Sequence, residues 1–244
     1  MVTTRSQTRA VAASPTSAAR EQALAPLAVT FACFAMAATG VVTNLTISAS
    51  PTDFAPEVTR YLGRFVFLTV QSNWILSAYF LVCVVAIVTR RPRVEWLCRG
   101  FPLVFALGAF LTVAYYALDH FNPAQVQARK ELHGKYPYIE WSAHGEHALA
   151  LPSVVLFALF VRVEHAKPSS ADVLRAVGYY MAFYLVVTHA NKTATGLWQY
   201  PILADLTAQG GVALRTVFFA VLIGINVAFG FLAKRILCAH EKRA

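Results

Sequence analysis

Six stretches of the chain are nearly unbroken runs of apolar residues, at roughly 23–46, 65–89, 101–118, 143–163, 173–190 and 212–233. Each is close to the ~20 residues an α-helix needs to cross a hydrocarbon core, where backbone N–H and C=O groups must be satisfied within the segment. The pattern predicts an all-α fold, a polytopic membrane bundle of six transmembrane helices over 23–235. It is flanked by a disordered tail at 1–22, rich in Ser, Thr, Ala and Arg, and a basic tail at 236–244. The first run follows Arg5, Arg9 and Arg20 as a signal peptide would, but it exceeds the 7–15 residues of a typical signal core and reads as a retained span. No internal repeat divides the chain.

Composition agrees: 57% of the 244 residues are hydrophobic and only 14% charged, with a mean hydropathy of +0.53. The net charge of +9 could point to nucleic acid. Its distribution does not, because the basic residues sit at the ends of the apolar runs and leave no free basic face for phosphates. Of the 21 basic residues, 14 fall in the N-terminal tail, in the 90–99 and 162–175 connections and after the last apolar run (Lys234, Arg235, Lys242 and Arg243), and 7 on the alternate side. That bias places both termini in the cytoplasm. High Ala, Val and Arg usage fits a GC-rich bacterial genome, and hence a bacterial cytoplasmic membrane. Cys33, Cys83, Cys98 and Cys238 show neither C-x-x-C nor metal-like spacing and read as small hydrophobes.

Polar residues within the runs gather at one end. Thr69 and Asn73 lie one turn apart near the start of the second run; Tyr116, Asp119 and His120 end the third. His144, Glu146 and His147 open the fourth, His189 closes the fifth, and Thr195, Trp198 and Tyr200 lie just beyond it. With the termini inside, all of them meet at the outer-leaflet end. Ionisable groups are costly in a membrane and mark functional sites by default. Thr69 and His147 both fall roughly 6 Å into their spans, at 1.5 Å per residue. A hydroxyl and an imidazole at matched depth can act as nucleophile and general base on a substrate that partitions into lipid.

Plainer readings stand beside this one. A threonine in a membrane helix commonly bonds its own i−4 carbonyl. His144 and His147, sharing a helical face, suit metal or haem ligation, base catalysis or interhelical hydrogen bonding. Glu146 leaves the helix in another direction from His147. The G-x-S-x-G elbow, H-E-x-x-H, C-x-x-C-H and phosphate-binding loop motifs are absent.

Three segments carry a resemblance. G-R-F-V-F-L-T at 63–69 resembles G-x-W-K-F-L-T, W-S-A-H-G-E-H at 141–147 resembles W-L-N-H-G-M-H, and T-G-L-W-Q-Y-P at 195–201 resembles T-G-M-W-V-Y-P. These are motifs of the androgen-inducible family of six-helix membrane proteins, which includes the androgen-dependent regulator of tissue factor pathway inhibitor. A-Y-Y-A-L-D, ending at Asp119, is similar to that family's Y-A-Y-D. The chain departs from the motifs at Ala143, where the family has Asn, at Glu146, where it has an apolar residue, and in A-N-K-T-A after His189, read as a lengthened loop.

The resemblance implies a hydrolase of fatty-acid esters of hydroxy fatty acids or similar lipid esters. Thr69 is then the nucleophile, His147 the base, and His144 its companion. No cofactor or metal is implied, and the partners are membrane lipids and a lipid ester. Asn73 is a candidate oxyanion donor; Phe65, Trp74, Tyr116, Asp119, His189, Trp198 and Tyr200 are candidate neighbours of the substrate cavity. A haem- or metal-binding multi-histidine protein built on His120, His144, His147 and His189, and a non-catalytic transport or structural bundle, are the alternatives.

Overall fold

The computed structural model describes residues 17–49, 59–89, 95–123, 126–127, 130–131, 139–160 and 168–239. Among these the regular structure is helical throughout. Six helical stretches are long and apolar enough to cross a membrane: Ala25–Thr46, Leu68–Val88, Leu97–His120, Trp141–Phe160, Ser170–Thr195 and Pro201–Cys238. The elements are α1 (Ser17–Ala49), a 3₁₀ turn (Gly63–Val66), α2 (Leu68–Val88), α3 (Glu95–Ala114) prolonged by a π turn (Tyr115–His120), α4 (Ile139–His147), α5 (Ala150–Phe160), α6 (Ser170–Thr195) and α7 (Pro201–Ala239).

Several ends differ from the expectation, each for a local reason. α1 begins inside the expected disordered tail, because 17–24 is rich in strong helix formers such as Ala, Arg, Glu, Gln and Leu. Residues 1–16 and 240–244 of the two tails lie outside the described residues, as do the basic positions in 90–94 and 161–167. The fourth span is two helices, not one. Pro152 lacks an N–H and its ring would clash with the Ala148 carbonyl, so the ladder breaks between His147 and Ala150. A-N-K-T-A is the end of α6 rather than a loop; that helix stops where Gly196 takes a left-handed φ of 77°. A capping box of Ser169 and Asp172 opens α6. α7 is broken at Gly211 (φ 59°, ψ −144°), which only glycine adopts without strain. Its 39 residues would otherwise make one rod of roughly 58 Å.

α3 is the central helix. Its apolar window is 61% buried, against 28–39% in the other five spans. It packs against α2, α5, α6 and α7, while α1 covers α2, α4 and α5. At one end the core is an aromatic nest, with Phe101 and Phe80 at 5.1 and 5.3 Å from Phe157 and Tyr79 beside them. Val85, Tyr179, Phe183, Val186 and Val217 are exposed on the outside, the surface a bilayer would cover. The polar residues lie at the opposite end.

Candidate active site

Thr69 is the second residue of α2, whose N-cap is the extended Phe67 with no side-chain capping bond. The first intrahelical bond runs from the Gln71 N–H to the Phe67 carbonyl. Leu68, Thr69 and Val70 therefore present N–H groups that the helix itself cannot satisfy. Leu68 N–H donates to the Tyr200 hydroxyl at 3.0 Å. Thr69 and Val70 N–H remain at the positive end of the helix dipole.

His147 ends α4 and reaches Thr69: Oγ1 and Nε2 are 3.2 Å apart. The other ring nitrogen, Nδ1, is 2.6 Å from the Ala143 carbonyl oxygen. A carbonyl only accepts, so Nδ1 must carry a proton, and it is Nε2 that presents the lone pair when the ring is neutral. The Thr69 hydroxyl is then the donor of the shared bond. Tyr115 fixes the plane of the ring by stacking on it at 4.2 Å and 13°. Thr112 fixes its backbone, since Oγ1 donates to the His147 carbonyl at 2.5 Å and accepts from Leu151 N–H at 3.1 Å. That one hydroxyl spans the break between α4 and α5.

Tyr116 and His144 meet at 2.9 Å between the phenol oxygen and Nδ1, and His120 lies with its ring 5.0 Å from that of His144. The π turn gathers Tyr115, Tyr116 and His120 on α4; such turns shift the residues after them around the helix axis. Asp119 lies on the same turn. Tyr200 is in the connection between α6 and α7, and its hydroxyl, accepting from Leu68 N–H, sits beside the residue that precedes Thr69. Burial holds its phenol well above the ordinary value, so it keeps its proton.

Other expected neighbours fall elsewhere. Phe65 and Trp74 stack on each other at 6.1 Å and are both exposed; five residues from Thr69, Trp74 projects to another side of α2. Trp198 belongs to a separate cluster with His189 at 5.5 Å and Arg215 at 4.8 Å, and His189 bonds its own Leu185 carbonyl. Asn73 is 2% exposed and its amide donates to the Glu146 carbonyl at 2.9 Å, bracing α2 on α4 rather than standing free for an oxyanion. Both His147 nitrogens are engaged by protein partners. Among the described residues no three His, Cys, Asp or Glu side chains converge as a metal site would require.

Four residues carry weight that the sequence did not signal: Arg64, Thr112, Tyr115 and Gly40. Arg64 and Glu146 form an ion pair at 2.8 Å. Gly40 leaves the space Asn73 occupies, since a Cβ there would meet Asn73 Cγ at 2.5 Å. Arg64 and Tyr115 had available hints, Arg64 as a member of the 63–69 motif and Tyr115 as the neighbour of Tyr116.

No curated protein and no solved structure matches the chain. The FAR-17a/AIG1-like protein family model matches residues 25–236, from the first span to the end of the last. The motif residues Thr69, His147 and Tyr200 fall within that match and meet at one end of six membrane-crossing helices. The chain is a multi-pass membrane protein belonging to the FAR-17a/AIG1-like family.

Proposed function

We propose that this protein is an intramembrane hydrolase of lipid esters, fatty-acid esters of hydroxy fatty acids among them, with Thr69 as nucleophile and His147 as general base. The observation that carries the reading is the 3.2 Å contact from Thr69 Oγ1 to a histidine whose Nδ1 is committed to the Ala143 carbonyl. Nε2 takes the hydroxyl proton as Oγ1 attacks the ester carbonyl carbon. The tetrahedral oxyanion forms beside the N-terminus of α2, where the N–H groups of Thr69 and Val70 and the Tyr200 hydroxyl are candidate donors in place of Asn73. Collapse breaks the bond to the alcohol oxygen, which leaves with the proton from Nε2. Water, deprotonated by the same nitrogen, then attacks the acyl-threonine and releases the carboxylic acid and the free hydroxyl.

The surroundings favour a lipid substrate. The hydroxyl–imidazole pair sits in the first turn of a membrane-crossing helix, ringed by Tyr115, Tyr116, Tyr200 and apolar helix faces. His144, bonded to Tyr116, lies one turn before the base and is the candidate to contact the departing alcohol. The charge bias of the connections supports an outer-leaflet position for this end.

A fluorophosphonate probe tests the pair directly. Purified wild-type protein is expected to label covalently; Thr69→Ala and His147→Ala are expected not to. Equal labelling of all three would overturn the assignment.

A further inference from the structure

Thr69 and His147 belong to different helices, so their 3.2 Å approach is only as well defined as the seating of α2 on α4. Two charged residues that the hydrolytic steps do not use lie across that seat. Arg64, on the 3₁₀ turn ahead of α2, donates from Nη2 to Glu146 Oε1 at 2.8 Å, with the side chains 20% and 6% exposed. A buried ion pair is a poor stabiliser: the desolvation of both groups offsets most of their attraction, and apolar residues of like volume commonly hold a fold as well or better. An ion pair at this place therefore calls for a role other than stability.

Both partners are fastened to the reacting groups. The 3₁₀ turn is tied to the first turn of α2 by Phe67 N–H to the Arg64 carbonyl at 3.0 Å and Gln71 Nε2 to the Phe65 carbonyl at 2.7 Å. Tyr180 in turn holds Gln71 Oε1 at 3.0 Å. On the other side Glu146 directly precedes His147, and its carbonyl receives Asn73 Nδ2. A shift of Glu146 against Arg64 must therefore move the imidazole against the hydroxyl. Resting on the hydrolase reading, we propose that Arg64 and Glu146 are positioning residues, a charged clamp that sets the distance and facing of Thr69 Oγ1 and His147 Nε2.

The full-length protein in lipid nanodiscs tests this with two readouts, fluorophosphonate labelling kinetics and the ¹⁵N spectrum of histidine-labelled protein. Glu146→Leu is expected to slow the covalent step about tenfold to a hundredfold, the range for a misplaced reacting group, while half-saturation by the probe stays within about twofold. The double variant Arg64→Leu/Glu146→Leu is expected to melt no lower than wild type and yet to remain slow. Arg64→Lys, which keeps the pair as a point charge, should recover most of the rate. A double variant that labels at the wild-type rate overturns the clamp. If neither leucine variant folds, isosteric Glu146→Gln replaces them, and a wild-type rate there overturns it equally.

Failure of the wild type itself to label sinks the hydrolase reading and leaves the geometry to the spectrum. The clamp predicts His147 protonated at Nδ1 and hydrogen-bonded at Nε2 in wild type, with the Nε2 signal moved toward that of a free imidazole in Glu146→Leu. An unmoved signal overturns it.

Discussion

Threonines in this bundle ordinarily turn back on their own helices: Thr30, Thr39, Thr43, Thr46 and Thr207 each donate to the carbonyl four residues earlier. Thr69 has no such outlet. Its fourth residue back is Phe65, which belongs to the 3₁₀ turn and whose carbonyl already accepts Gln71 Nε2. Position in the first turn of α2 therefore frees the hydroxyl for His147, and this separates Thr69 from its plainer reading. Thr69→Val, which removes the oxygen and keeps the shape, is expected to abolish probe labelling. It should lower stability by only about 1 kcal/mol, the worth of one ordinary hydrogen bond; loss of labelling through unfolding would show instead as a collapsed melting transition. Thr69→Ser keeps a hydroxyl at the same place and should label at a rate within about tenfold of wild type, checked in the same assay.

Between elements, the site depends on how closely three helices approach. Gly40 on α1 admits the Asn73 side chain, and Asn73 carries the bond to α4. Gly40→Ala would place a Cβ 2.5 Å from Asn73 Cγ, too near for contact. Thermal melting should report a loss of about 1–3 kcal/mol from overpacking, and labelling should slow as α4 is pushed outward. Thr112→Val removes the hydroxyl joining the His147 carbonyl to the Leu151 N–H. It should cost a similar amount and leave the histidine less ordered. The sequence made part of this legible. The apolar runs place all six spans; residue spacing sets Thr69 and His147 at matched depth, but it is the family resemblance, not the spacing, that marks them as a pair. The break in the fourth span could have been read from Pro152. The Arg64–Glu146 pair could not, because it depends on how a 3₁₀ turn of four residues seats on a helix 82 positions away. Nor could Trp74 be placed outside the site until the facing of α2 was fixed by its packing on α1 and α3.

For the whole molecule the open quantity is direction. The bundle has an aromatic end around Phe101 and Phe157 and a polar end around Thr69 and His147, and α7 runs from the polar end at Pro201 to Cys238 at the other. Basic residues on the side of the termini outnumber those on the alternate side by 14 to 7, a bias that predicts an outward-facing polar end and that labelling can test. Phe121, just past the π turn, is 73% exposed and reports on that end. In a variant without other cysteines, Phe121→Cys should react with a membrane-impermeant maleimide in intact cells. A variant retaining only Cys238 should react after permeabilisation alone. The opposite pattern would put the hydroxyl–imidazole pair at the inner leaflet.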